Sequence, residues 1–198
     1  MPFVFKRLAL LMSIAAAFAA DKESAFRPPP AESMAHRQTN DQVTIGADPF
    51  ETAAKTKTAF GKLDPNEHGV LPVLVVVRND SKQTLDASRL EVQYKIPGQR
   101  AVDNTPASDV KTLNGARRPG YIPGPLGGGV MLKGKKNPLD VWEIEGHAFS
   151  AKMIPPGQSA SGFFYFQGEL KPGATIFLNG FAAAGGGKEL FYFEISLE

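Results

Sequence analysis

The hydrophobic residues of this chain follow strand patterns over much of its length. Residues 70–78, VLPVLVVVR, form an almost unbroken apolar and β-branched run that ends at Asn79-Asp80. Such continuity predicts a strand buried on both faces. In residues 89–96, RLEVQYKI, apolar and polar positions alternate strictly, which predicts a strand with one face on a core and the other in water. Together the two patterns favour two packed sheets.

Four further strands are predicted in the C-terminal third, over residues 147–154, 159–168, 174–181 and 189–197. Proline and glycine turns separate them at a spacing of about ten residues. Counted with the earlier strands, they predict a mainly β fold, an immunoglobulin-like antiparallel β-sandwich over residues 41–198.

Two short helices interrupt the strands. Asp48 followed by Pro49 predicts a helix over residues 49–60, with Asp48 as its cap and Gly61 as its end. A second helix is predicted to begin at Asn137-Pro138 and to reach about residue 145. Its Trp142 is the only tryptophan of the chain, and we expect this large side chain to pin the helix to the sandwich. The alternative is an exposed tryptophan that stacks on a ligand.

The first forty residues predict export followed by a spacer. Residues 1–19 read as a signal peptide, because Lys6-Arg7 precede an apolar stretch and Ala17-Phe18-Ala19 suits a signal peptidase. An uncleaved anchor is the alternative. Residues 20–40 lack apolar periodicity and contain three consecutive prolines, so a disordered arm is predicted. We therefore expect a periplasmic or secreted protein without a membrane span after cleavage.

The composition of the chain excludes several kinds of site and partner. The 42% apolar content is that of a chain with a real core, and the absence of cysteine excludes disulfides, thiol catalysis and cysteine-zinc sites. Removal of a signal that carries Lys6 and Arg7 leaves as many basic as acidic residues, so a nucleic-acid binder is not expected. No cofactor is expected either.

The stretch from residue 97 to residue 137 is predicted to be one long basic loop, rich in glycine and proline, inserted in the sandwich. Between residues 111 and 136 it has six basic residues and no acidic one. Residues proposed to contact an anionic ligand are Arg117, Arg118, Lys133, Lys135 and Lys136. A solvated loop without a ligand is the alternative.

Part of this stretch, GVMLKGKK, resembles a phosphate-binding loop in its spacing of Gly129, Gly134 and Lys135. That loop needs a buried strand before it and a Ser or Thr after its lysine. Here the lysine is followed by Lys136 and the preceding segment is PGYIPGPLGG. Nucleotide hydrolysis is therefore not expected.

Two groups combine carboxylates with a histidine and are the candidate metal or catalytic sites: Glu143, Glu145 and His147, and Asp64, Glu67 and His68. In a strand, the first group would share one face. The predicted helix spoils that convergence, which a metal requires. The second group lies in LDPNEHG, where a turn with solvated charges accounts for it. No catalytic or metal residue is predicted.

The segments LPVLVVVRNDSKQTL and MIPPGQSASGFFYF resemble those of uncharacterised exported immunoglobulin-like proteins of bacteria. The resemblance covers residues 41–198 and implies a β-sandwich behind a signal peptide, without a catalytic residue to carry over. The expected function is a non-enzymatic binding or assembly module of the cell envelope, whose partner is another envelope protein or an anionic envelope component. The alternatives are an envelope enzyme or metal-dependent protein, and a structural subunit of a surface assembly.

Overall fold

A computed structural model describes residues 26–113, 121–122, 130–131, 137–139, 141–185 and 192–198. Within these ranges the chain is mainly β-sheet with a few short helices, and the paired strands run antiparallel. The strands are β1 (His36–Asn40), β2 (Val43–Pro49), β3 (Val70–Asn79), β4 (Leu85–Asp86), β5 (Glu91–Lys95), β6 (Val102–Asp103), β7 (Tyr121–Ile122), β8 (Val130–Met131), β9 (Met153–Ile154), β10 (Ser159–Gln167), β11 (Thr175–Asn179), β12 (Ala182–Ala183) and β13 (Phe193–Ser196). The helices are α1 (Ala53–Phe60), α2 (Ala107–Val110) and α3 (Trp142–Gly146), with 3₁₀ turns at Ala31–Ser33 and Pro65–His68.

Two four-stranded sheets form the sandwich. The first has the order β1-β2-β3-β10, and the second has the order β13-β11-β5-β6. In an immunoglobulin domain the corresponding orders are A-B-E and G-F-C, which β2-β3-β10 and β13-β11-β5 reproduce. A small sheet, β12-β4-β9, and the ribbon of β7 and β8 complete the described strands. The predicted immunoglobulin-like sandwich is confirmed.

Strand β3 is buried on both faces, as its unbroken apolar sequence predicts. Val73, Val75 and Val77 belong to the core between the two sheets. Leu74 and Val76 point to the opposite side and join a second cluster. Helices α1, α2 and α3, the N-terminal segment and strand β10 also contribute to that cluster, which supports the candidate site described below.

The predicted disorder of residues 20–40 is wrong for residues 31–40. Ala31 and Met34 are almost fully buried, and Met34 packs so closely on Gly46 that a Cβ atom there would overlap its sulfur. Strand β1 follows and pairs with β2 along its full length. A single methionine facing a glycine leaves no apolar periodicity in the sequence, which explains the error. The domain therefore begins before residue 41.

Side chains of β1 also reach the edge of the second sheet. The backbone N–H of Glu194 donates to Oε1 of Gln38 at 2.8 Å, and Nδ2 of Asn40 donates to the carbonyl of Tyr192 at 3.3 Å. Strand β1 thus contacts both sheets.

The prediction of one long loop from residue 97 to residue 137 is wrong in part. Strands β6, β7 and β8 and helix α2 lie within it, and Val110 of α2 is fully buried. Strand β6 extends the second sheet beside β5. Elements this short lack a readable period in the sequence, whereas the glycines and prolines around them are conspicuous.

Both predicted helices begin later than expected. Helix α1 is capped by Thr52, whose hydroxyl accepts from the backbone N–H of Lys55, and not by Asp48. Asp48 and Glu51 instead bind the ammonium of Lys55 at 2.9 and 3.1 Å. The second predicted helix starts at Trp142, because Asn137 uses its side-chain oxygen to form a turn with the N–H of Leu139.

Candidate functional site

Helix α3 is fixed to the sandwich by a buried hydrogen bond. The hydroxyl of Tyr165 on β10 donates to the carbonyl of Ile144 at 2.7 Å, and both residues are about 1% exposed. Burial raises the pKa of Tyr165 far above its ordinary value, so the hydroxyl keeps the proton that it donates. Leu139, just before the helix, is buried in the same cluster.

The segment after α3 runs along the edge of β10. The N–H of Phe163 donates to the carbonyl of His147 at 2.8 Å, and the N–H of Phe149 donates back to the carbonyl of Phe163 at 3.1 Å. The close approach depends on Gly162, where a Cβ atom would lie 2.4 Å from the backbone of Phe149. Helix α3 is therefore held at both its middle and its end.

Trp142 is the first residue of helix α3, and most of its surface is exposed to solvent. Its exposure is 72%, so the prediction that it is buried and pins the helix is wrong. The buried residue is Ile144, two positions later. Successive helical residues are about 100° apart, which places Trp142 and Ile144 on opposite sides. The spacing of two residues between Trp142 and Ile144 is the signal in the sequence that could have indicated the exposure of Trp142.

The indole ring lies close to the last turn of the helix. Its Cε3 and Cζ3 atoms lie 3.0 and 3.2 Å from the position of a Cβ atom at Gly146. The ring centroid lies 6.1 Å from that of His147, at an interplanar angle of 38°. Gly146 thus leaves room for the indole, and His147 flanks it.

His147 joins the tryptophan to an aromatic cluster. Its ring centroid lies 6.0 Å from that of Phe26, 6.0 Å from that of Phe60 and 6.4 Å from that of Phe163. Phe26 also packs edge-on against Phe50 at 5.8 Å. The start of the described chain is therefore part of the support of Trp142. We call the surface made by Trp142, Gly146 and His147 the Trp142 face.

The predicted basic contact residues lie outside the described residues: Arg117, Arg118, Lys133, Lys135 and Lys136. The structure describes the residues at either end of their segment. Nδ2 of Asn137 hydrogen-bonds to the carbonyl of Lys111, and α2 contacts α3. Lys111 and Asn137, which flank this segment, thus contact each other, and α2, which ends next to Lys111, contacts the helix that carries Trp142.

The surroundings of the two groups that combine carboxylates with a histidine differ from those of a metal site. Glu143 and Glu145 lie on helix α3 as predicted, and His147 contacts aromatic rings. Asp64 accepts from the N–H of Asn66 at the start of the 3₁₀ turn. Within the described residues, no three His, Asp or Glu side chains are grouped as metal ligands. In the same part of the chain, no helix is long and apolar enough to cross a bilayer.

A groove of about 330 Å³ lies between the turn that joins β1 to β2 and residues 81–85. It is lined by Asp41, Gln42, Val43, Ser81, Lys82, Gln83, Thr84, Leu85 and Ala183. Asp41 and Lys82 bring opposite charges to its lining, and Val43, Leu85 and Ala183 bring apolar side chains. The groove is near the lower size limit for small-molecule sites.

Solved structures of bacterial proteins are distantly similar to this chain. No protein-family model and no curated protein sequence matches the chain. Among solved structures, it is similar to "a putative lipoprotein" from Bacillus subtilis, with a TM-score of 0.37, 13% identity and 81% of this chain covered. The chain spans 38% of the length of that protein. A second likeness is to an uncharacterised β-sandwich protein from Clostridium difficile, with a TM-score of 0.31, 11% identity, and 81% of this chain and 90% of that one covered.

Proposed function

We propose that this protein is an exported, non-enzymatic binding module of the cell envelope and that Trp142 is its main contact residue. The observation that carries the proposal is the 72% exposure of Trp142 on a helix whose middle and end are both hydrogen-bonded to β10. The proposal of export rests on the signal-like residues 1–19.

A tryptophan contributes little to folding while most of its surface stays in water. Full burial of a tryptophan removes about 150–250 Å² from water, which makes it one of the largest single contributors to an interface. Residues of this type dominate binding energy when they are buried at the centre of a contact. The contact of the indole with Gly146 adds to this, because a side chain that already packs on its own helix loses less freedom on binding.

A non-enzymatic role agrees with the surroundings of the histidine on this face. His147 is flanked by Phe26, Phe60, Phe163 and Trp142, contacts that position a ring by packing. The carboxylates of α3 stand on the helix beside Trp142. The segment that carries the five basic residues predicted to meet an anionic component is flanked by Lys111 and Asn137, which are hydrogen-bonded to each other.

The test compares two exposed aromatic residues in binding to isolated envelope fractions. Trp142→Ala is expected to weaken binding at least tenfold, about 1.4 kcal/mol. Tyr192→Ala is the matched control, because Tyr192 is 55% exposed and lies next to β13, and we expect its binding to be unchanged. Both variants should unfold within about 0.5 kcal/mol of the wild type, as is usual for surface substitutions.

Equal binding of both variants would contradict the proposal. So would hydrolysis of ester, glycoside, peptide or phosphate substrates that is lost on His147→Ala, since that result would favour an enzyme.

A further inference from the structure

One wall of the 330 Å³ groove is a loop that a buried side chain holds in place. Asn79, at the end of β3, is fully buried. Its Nδ2 donates to the carbonyls of Gln83 and Ile154, each at 2.8 Å. Its Oδ1 accepts from the N–H and from the hydroxyl of Ser81, at 3.1 and 2.6 Å. The loop is therefore preorganised, and little of its freedom is lost when a ligand binds.

The other wall is the turn between β1 and β2, and its backbone is strained. Asp41 and Gln42 have φ angles of 49° and 63°, in the left-handed region that favours glycine. They are the two residues other than glycine with a positive φ in the described part of the chain, and both line the groove. The N–H of Asp80 donates to the carbonyl of Gln42 at 2.9 Å, which joins this turn to the opposite loop.

The side chain of Gln42 is present at a position where glycine would relieve strain. Two-residue turns with two positive φ angles usually contain glycine. Residues held in such conformations cluster at binding and catalytic sites, where the side chain has a use. The strain therefore points to a role for the amide of Gln42 in the groove.

The polar side chains around the groove have no partner within the described residues. The carboxylate of Asp41 and the ammonium of Lys82 form no ion pair there, and the side-chain amides of Gln42 and Gln83 form no hydrogen bond. All four residues are exposed to solvent. Their charges and amides can therefore meet a ligand directly.

The chemistry of the lining matches a ligand with two opposite charges and an amide between them. Asp41 attracts an ammonium group and Lys82 attracts a carboxylate, whereas each glutamine amide both donates and accepts and can pair with a peptide group. Since Asp41 and Lys82 are not paired with each other, their charged atoms lie more than about 4 Å apart. The two charges of an extended dipeptide lie up to roughly 7 Å apart, whereas those of a free amino acid are attached to one carbon.

We propose that this groove binds a short peptide by its two charged ends, with dipeptides of small apolar residues as the ligand class. The small side chains would lie against the apolar part of the lining, Val43, Leu85 and Ala183. A volume of about 330 Å³, near the lower limit for small-molecule sites, restricts the ligand to this size. The groove shares no residue with the Trp142 face, so this inference does not rest on the proposed function.

Titration of the isotope-labelled protein with L-alanyl-L-alanine tests the site. We expect shifts in the backbone amide resonances of residues 41–43 and 81–85. The dissociation constant should be in the millimolar range, because a ligand with so few atoms gains limited binding energy. Trp142→Ala should leave the titration unchanged. If the resonances of these residues do not shift, the assignment of the groove is overturned.

Two capped ligands and two substitutions identify the charged contacts. N-acetyl-alanyl-alanine lacks the ammonium group, and alanyl-alanine amide lacks the carboxylate. Asp41→Asn should weaken binding of the free dipeptide about two- to fivefold and leave binding of the acetylated ligand unchanged. Lys82→Gln should act in the same way on the free dipeptide and leave binding of the amide unchanged. Lys152→Gln is the matched control, because it changes an exposed lysine outside the groove.

Gln42→Gly tests the role of the strained residue. Glycine adopts the observed φ without strain, so the thermal midpoint should be no lower than that of the wild type. Binding of alanyl-alanine should weaken about two- to tenfold through loss of the amide. Unchanged binding by this variant would contradict the role of Gln42. Equal binding of the free and the capped dipeptides would overturn the charged contacts, and equal binding of free alanine would overturn the dipeptide as the ligand class.

Discussion

Gly162 provides the sharpest test of how the Trp142 face is supported. Gly162→Ala adds one methyl group whose carbon would lie 2.4 Å from both N and Cα of Phe149. Ordinary contacts of a Cβ atom begin at 3.4 Å, so the backbone of Phe149 has to move by roughly 1 Å. Both hydrogen bonds between β10 and residues 147–149 are then strained or lost.

The magnitude follows from these contacts. Overpacking costs about 1–3 kcal/mol, and each weakened hydrogen bond costs about 0.5–1.5 kcal/mol. We expect the free energy of unfolding to fall by about 2–6 kcal/mol, a large part of the 5–15 kcal/mol typical of a domain.

Urea unfolding followed by circular dichroism gives this free energy, and the emission of Trp142 reports on α3 in the same samples. Ser161→Ala is the control, because it changes an exposed neighbour on the same strand and should cost less than about 0.5 kcal/mol. A comparably small loss for Gly162→Ala would refute the close approach of residues 147–149 to β10.

Three further substitutions test the fold. Asn79→Ala removes a fully buried amide with two donated and two accepted hydrogen bonds, and thermal unfolding should show a loss of about 3 kcal/mol or more. Tyr165→Phe leaves a buried carbonyl without its donor, and we expect a loss of about 1–2 kcal/mol by urea unfolding. Burial lowers the pKa of Lys55, but hydrogen bonds and charge from Asp48 and Glu51 raise it more, so the net pKa lies above its ordinary 10.5. The ion pairs therefore stabilise the fold below about pH 10.5. The difference in unfolding free energy between the wild type and Lys55→Met should shrink as the pH rises through the folded pKa of Lys55. A difference that does not change at alkaline pH would contradict this.

Strands with a strong period could be predicted from the sequence, whereas elements fixed by single contacts could not. Residues 70–78 show their burial through continuous hydrophobicity, and residues 89–96 show theirs through alternation. Strand β1 has neither pattern, because its place depends on pairing with β2 and on Met34 packing against Gly46. Such a contact between distant residues has no local signature.

In the candidate site, too, some features could be predicted from the sequence and others could not. The basic residues stand out in the sequence, but a sequence does not show where a chain of glycines and prolines lies. Trp142 was expected inside because large aromatic side chains usually are. Its exposure follows from the helix beginning at Trp142 and from Tyr165 holding Ile144 on the buried side, and both of these required the structure.

The side chains of Gln38 and Asn40 have a consequence for how the protein avoids self-association. An uncovered strand edge presents a row of unpaired backbone groups that can recruit another molecule. In this protein two amide side chains occupy such groups on residues 192 and 194, so the first strand shields the last one. A truncated chain beginning at Asp41 would lose that cover together with β1, and we expect it to form edge-to-edge oligomers more readily than the longer chain.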